Sequence, residues 1–357
     1  MGSSFIKSLK KHAVNIRGWR TNRKIIVFES DDWGSIRMPS IEAYESMLLS
    51  GIRVDKSSYN TLDTLENKRD LESLFSVLLK YQDSYGSNPI FTFNVVMGNP
   101  NFNQIRKEKF QKYFHEDLFT SYKVYNNEDL YGTWDKAIQQ KLIRPQFHCR
   151  EHLNTSLWLK ALSQGQPETV SAFDYNFWGL DTKTPSKDQN NYLAAYWAEN
   201  EKDFELKVEI LKDGLRMFRH RFGFLPESFV ACNYIYPIEM EKFLYEAGIK
   251  YIQTQRGHLS PNILSGKQIR YHYTGEKSDF GQYYLVRNCS FEPSLKSDKD
   301  WVTDCIREIK TAFRMRKPAI ISTHRINYVS GLSKKNQSTG VYELNKLLEK
   351  IVQNWPE

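Results

Sequence analysis

Short apolar, β-prone runs alternate with amphipathic stretches along most of this chain, and that alternation restricts the fold more than any other feature. Residues 24–30 (KIIVFES), 89–96 (PIFTFNVV), 143–148, 171–177, 228–232, 249–254, 283–289 and 319–323 each read as a strand. Helical spacing of apolar residues fills most of the gaps, over 41–50, 67–82, 128–142, 201–220, 237–247, 301–316 and 341–353. Strands separated by helices do not close as hairpins; they build βαβ units and a mostly parallel sheet. About eight such strands in one chain predict an α/β fold, a closed or nearly closed (β/α) barrel with outer helices. The polar stretch 181–191 is the clearest loop. No linker or internal repeat forces a boundary, so residues 1–357 are expected to form a single catalytic domain with a basic helical extension at 1–23.

Composition narrows the function classes. Hydrophobic residues make up 40% of the chain and aromatics 14%, enough for a packed core and against a disordered protein. The formal charge of +8 comes from positives scattered among negatives. Without a basic stripe or a recognisable module, nucleic-acid binding is not expected. Cys149, Cys232, Cys289 and Cys305 show no C-x-x-C spacing, which fits unpaired thiols in a reduced compartment. The N-terminal residues lack the apolar core of a signal peptide, which predicts a cytoplasmic protein. Their mixed Phe, Ile, Trp, Lys and Arg content reads either as a surface helix on its own domain or as a helix touching the inner membrane surface.

Barrel enzymes carry their chemistry at the carboxyl ends of the strands. Asp31 and Asp32 follow KIIVFES, Asn94 comes late in FTFNVV, His148 ends IRPQFH and His324 ends PAIISTH. Four strands thus deliver polar groups to the same end. His148 and His152, four apart, are expected on one face of a helical turn, where both imidazoles reach one ion. Two imidazoles and one carboxylate leave a coordination position open for water, and a second carboxylate beside it can accept the water's proton. The same pentapeptide HCREH also matches the H-x-x-E-H zinc-peptidase motif, with Glu151 as base and Glu227 as a further carboxylate, on a regular helix.

FESDDWGS, HCREH and ISTHRINY, in that order on strand ends, resemble the polysaccharide deacetylase pattern of carbohydrate esterase family four, over roughly residues 24–328. RFGFLPESFVACNYIYP resembles, nearer still, a bacterial polysaccharide (de)acetylase-like subgroup associated with surface polysaccharide. The resemblance implies a distorted (β/α) barrel of seven to eight mostly parallel strands. It also implies a divalent metal, usually Zn2+, on Asp32, His148 and His152, with Asp31 as general base and His324 as acid. The implied activity is metal-dependent removal of acetyl groups from an acetylated carbohydrate, a polysaccharide or its precursor.

The chain departs from that pattern in its support residues. The family's R-x-P-Y motif is replaced by residues 229–234 (FVACNY), and its Asp-Trp pair by 252–256 (IQTQR). Arg325, Arg256 and Arg150 are the candidates to compensate. These losses leave a non-catalytic, metal-retaining carbohydrate-binding barrel as an alternative. Cys149, in place of the motif's Ser/Thr, reads as packing. Asn94, Asn233, Tyr234 and Arg325 are candidate substrate contacts, and Trp33, Trp178 and Trp197 either stack on sugar or fill the core. Neither His258 nor His272 has an evident partner.

Overall fold

A computed structural model describes residues 13–180, 192–262, 266–296 and 298–357. The expected loop 181–191 and residues 1–12 of the N-terminal extension lie outside them; of the expected helix over 1–23, Ala13–Asn15 is a single 3-10 turn. Eight strands form one sheet: β1 Ile26–Trp33, β2 Phe91–Val96, β3 Ile143–Cys149, β4 Ser228–Val230, β5 Tyr251–Thr254, β6 Tyr283–Val286, β7 Cys289–Ser290 and β8 Ala319–His324. Every pairing in it is parallel. The order β6-β5-β4-β3-β2-β1-β8-β7 is sequence order wound into a ring, with its seam between β6 and β7.

Only Arg287 and Asn288 separate those two edge strands. The Arg287 N–H still donates to the Thr254 carbonyl of β5, and the next N–H, of Asn288, donates to Ile320 in β8. One continuous stretch therefore pairs with β5 through its first half and β8 through its second. The ring closes around that switch, a distorted (β/α) barrel of seven to eight parallel strands as expected.

The run 171–177 is the exception among the expected strands: residues 171–174 close the helix Pro167–Asp174 and the rest follow its end. Proline at its first turn is pre-set for a helix start, since its missing N–H is one the helix leaves unpaired there. The other helices follow the sequence cues. Asn67 and Asp70 form a reciprocal capping box on Lys68–Leu78, and Gly223, at φ +73°, ends Glu201–Phe222. Between the sheet and its helices, Trp33 stacks on Phe93 at 3.7 Å between centroids and Phe28 on Phe91 at 4.8 Å, and Phe93 also meets Phe75 and Trp134 of two flanking helices. Among the described residues no helix is long and apolar enough to cross a membrane.

Gly340, in the helix Lys334–Asn354, marks where that helix touches the segment following β8. A Cβ built there would lie 1.7 Å from the Asn327 carbonyl oxygen, which is backbone and has no side chain to rotate away. Glycine to alanine within a helix ordinarily stabilises by about 1 kcal/mol. Here Gly340→Ala is expected to destabilise instead, by about 1–3 kcal/mol through overpacking. Urea denaturation would check the sign, which a free helix face would reverse.

Candidate functional site

Two β-bulges at the carboxyl end of the barrel place the site residues. Successive residues of a regular strand face opposite sides, so Asp31 and Asp32 could not both enter one pocket from an undistorted β1. The β1–β2 register shifts between Ser30 and Trp33, and Asp32 takes φ +74°, a conformation costing a non-glycine residue about 1–2 kcal/mol. Both aspartates consequently line one cavity of about 120 Å³, with Arg37, Tyr59, His148, His152, Asn233, Tyr234 and His324. On β3, Phe147 and Cys149 pair with consecutive residues of β2, so His148 is the extra residue of a second bulge. His152 follows in a bend, so the two histidines meet across the end of a strand and not on the expected helical turn. Asn233 and Tyr234, both at φ +56°, bring a second left-handed stretch to the rim after β4.

The imidazoles of His148 and His152 present Nε2 to the same oxygen, Oδ1 of Asp32, at 3.4 and 3.5 Å. These spacings exceed a hydrogen bond but match about 3.4 Å, the edge of a tetrahedron with ligands about 2.1 Å from a divalent cation. His148 is oriented through its other nitrogen, Nδ1, which lies 2.7 Å from the Val230 carbonyl. Nδ1 of His152 is buried without a hydrogen-bond partner. Burial disfavours the Asp32 carboxylate, yet the two imidazoles outweigh it and hold its pKa well below the usual range. The donor set Asp32, His148 and His152 fits a divalent cation.

Asp31 is held by a different group. Arg287, at the seam, donates from both terminal nitrogens to the two Asp31 oxygens at 2.6 and 2.7 Å, and from Nε to Glu29 at 2.7 Å. Asn94 donates to Asp31 Oδ1 at 2.7 Å. Burial pushes Asp31 up, but the Arg287 guanidinium more than offsets it, keeping the group ionised. Glu29, one turn of the pleat away, is lifted by burial to about 7 despite the same arginine.

His324 is the register neighbour of Asp31 across β1–β8, with Nε2 3.6 Å from Asp31 Oδ2. Its Nδ1 lies 2.6 Å from Glu292 Oε1, and Asn327 donates to the other Glu292 oxygen at 2.7 Å. Burial alone would lower the imidazole; Glu292 and Asp31 instead raise it to about 10, so it carries its proton at neutral pH.

The remaining expected residues divide cleanly. Asn233 and Tyr234 line the pocket, and the Tyr234 hydroxyl accepts from Arg287 at 2.8 Å. Asn94 is fully buried, between Asp31 and Gln253, and orients the site from below. Arg325 is also fully buried, its guanidinium committed to Asp63 and Glu66. Arg150 binds Glu151 and Asp213, so of the three arginines expected to compensate none reaches Asp31. Trp33, Trp178 and Trp197 are core residues. Cys149 is buried, as its packing role requires. His258 and His272 stack in a column between Tyr236 and Tyr284. The peptidase alternative does not stand: Glu151 is buried, gripped by Arg150 and not on a helix, and Glu227 lies at the surface beside Lys250. Nothing in the motif pattern singles out Arg287, Glu292 or Arg37. Arg287 did carry a signal, a lone charge inside the apolar run 283–289, as did Glu29 inside KIIVFES.

One family model matches this chain: glycosyl hydrolase family 57, over residues 193–357. No curated protein matches. Similar solved structures include a 4-alpha-glucanotransferase from Thermococcus litoralis, with 9% identity, TM-score 0.43, and coverage of 94% of this chain and 39% of that one. A protein of Mycobacterium smegmatis assigned as a polysaccharide deacetylase has 11% identity and TM-score 0.41, covering 94% and 86%. The alpha-amylase AmyC from Thermotoga maritima has 9% identity and TM-score 0.41, covering 92% and 71%. The chain thus spans about two-fifths of the glucanotransferase.

The family match corrects the deacetylase assignment. It takes in ISTHRINY and the RFGFLPESFVACNYIYP run, two of the stretches that suggested carbohydrate esterase family four, and these are similar instead to glycosyl hydrolase family 57. Metal-dependent removal of acetyl groups, and with it a role in deacetylating surface polysaccharide with zinc, does not stand. Acidic pairs and histidines at barrel ends serve more than one reaction, so the same strand-end residues suit either family.

Proposed function

We propose that this chain is a carbohydrate-active enzyme that hydrolyses or transfers at glycosidic bonds, centred on Asp31, Asp32, His148, His152 and His324. The partial match to glycosyl hydrolase family 57 carries this reading, because the matched residues 193–357 supply Asn233, Tyr234, Arg287, Glu292 and His324 to the pocket and its supports.

Breaking a glycosidic bond requires a proton for the departing oxygen and negative charge near an anomeric carbon that turns cationic. His324 holds a proton at Nε2, and the imidazole lines the pocket, so it can protonate the leaving oxygen. Asp31 stays ionised under Arg287 and Asn94 and supplies negative charge in the same space. Glu292 keeps the imidazole in the tautomer and orientation that point its proton into the pocket. Asp32, His148 and His152 would hold a divalent cation, and such an ion supplies a bound water of lowered pKa.

The purified chain, incubated with glucans and other glycans in the presence of divalent ions, is expected to generate new reducing ends or redistribute chain lengths. Acetate released from acetylated glycans with neither product would overturn the proposal. The cation is tested separately. Metal analysis of the wild type is expected to find about one divalent ion per chain, lost in Asp32→Ala and His152→Ala. Unchanged metal content in both variants would remove these residues as ligands.

A further inference from the structure

Among the described residues, Arg37 is the guanidinium of this barrel end that makes no direct ion pair; Asp63 and Asp32 act on it only from a distance. It is buried, lines the same pocket as Asp32 and His324, and makes a single hydrogen bond, from Nε to Asn60 Oδ1 at 3.1 Å. Asn60 is itself fixed, donating to the Gly179 carbonyl at 3.2 Å. The guanidinium lies over two aromatic rings, 5.6 Å from the centroid of Tyr59 and 5.4 Å from that of Trp178. A Cβ on Gly179 would stand 3.2 Å from Arg37 Nε, so the backbone closes the stem side tightly.

The contrast with its neighbours is what gives this arrangement meaning. Arg287 holds Glu29 and Asp31, Arg325 holds Asp63 and Glu66, and Arg150 holds Glu151 and Asp213. Among the described residues, no carboxylate lies within 4.0 Å of the Arg37 guanidinium, and its two terminal nitrogens bond to none of them. A largely buried cation without a direct ion pair is unfavourable unless something completes it from the pocket side. Here the unused part of the guanidinium is the planar fork that matches two carboxylate oxygens. The Tyr59 hydroxyl, which also lines the pocket, has no hydrogen-bond partner among the described residues and adds a donor beside the fork.

We propose that the sugar bound in this pocket is a hexuronate, its carboxylate received by the terminal nitrogens of Arg37. The proposal rests on the glycan reading above and names the substrate class. A carboxylate suits the pocket better than a phosphate ester, because a dianion would be set against Asp31 and Asp32 as well as drawn to a single guanidinium. Arg37 is thus the specificity-determining residue, and its contacts with Tyr59, Trp178 and Asn60 fix the direction of its fork.

Isothermal titration of the wild-type chain with oligogalacturonate and oligomannuronate, each against its carboxyl-reduced neutral counterpart, tests this without any variant. The acidic form is expected to bind roughly 10- to 100-fold more tightly. Arg37→Gln should collapse that ratio towards one, and Arg37→Lys should restore part of it, with near-ultraviolet circular dichroism verifying the fold of each. Equal binding of the acidic and reduced forms by the wild type would overturn the proposal while leaving the glycan reading intact. So would an acid preference that survives in Arg37→Gln, or an Arg37-dependent preference for hexose 6-phosphate over the uronates. Failure of the wild type to bind any glycan, charged or neutral, would overturn both readings.

Discussion

Arg287→Met is expected to cost about 3–5 kcal/mol of folding free energy at neutral pH, because it strips the counter-charge from two buried carboxylates at once. Glu29 and Asp31 are both nearly inaccessible, and the guanidinium supplies a hydrogen bond to one and two to the other. Burial already lifts Glu29 to about 7, whereas Asp31 lies below its ordinary value because Arg287 opposes burial there. Without the arginine, burial raises both. A carboxyl whose folded pKa is raised contributes most below its unfolded pKa and loses that contribution as pH rises through the folded value. The penalty should accordingly be greatest near neutrality and shrink in acid. Urea denaturation of wild type and variant at about pH 4.5 and about pH 7.5 would measure it. A penalty equal at both would show that the carboxylates are not what the arginine neutralises.

The second large effect concerns the proton on His324. Its replacement by glutamine removes the group proposed to protonate the leaving oxygen, and turnover should fall by roughly 10²- to 10⁴-fold. Glu292→Gln gives a finer test, because it keeps the imidazole and removes its nearest negative charge, 2.6 Å away. Burial disfavours the imidazolium, so without Glu292 the pKa should drop from about 10 towards neutrality, carrying the alkaline limb of the pH–rate profile with it. Titration of the His324 ring followed by NMR gives the same answer without any substrate. The sign for stability is opposite to that of a depressed carboxylate. His324 is raised on folding, so its contribution is complete below its unfolded value near 6.5 and is lost as pH rises through about 10. An imidazole that titrates at the same pH with and without Glu292 would remove the carboxylate from this role.

What the amino-acid pattern made legible was local. KIIVFES ending in two aspartates, IRPQFH and PAIISTH each carry a β-branched or apolar run closed by a titratable group, and all three fall at the pocket as expected. The helix at Pro167–Asp174 was hidden because its short apolar run fits either period, and proline at the first turn was the discriminating cue. Support residues were harder to find, since Arg287 meets Asp31 across 256 positions and Glu292 meets His324 across 32. No periodicity links such pairs; only the ring order of the strands does. The reaction itself was the least legible, because strand-end acids and histidines define a place for chemistry more sharply than they define the bond that breaks.

The switch at Arg287 and Asn288 ties the integrity of the centre to a mechanical event. Backbone bonds from this two-residue step reach β5 on one side and β8 on the other, while the Arg287 side chain reaches inward to Glu29 and Asp31. Any local opening that parts this segment from its neighbours also withdraws the guanidinium, leaving two buried carboxyls without their counter-charge. Such partly open forms are penalised twice, by lost backbone pairing and by unmasked charge. The seam should therefore behave as part of the most slowly exchanging unit of the barrel and not as a fraying edge. The pocket arrangement is then lost in the same step that breaches the wall.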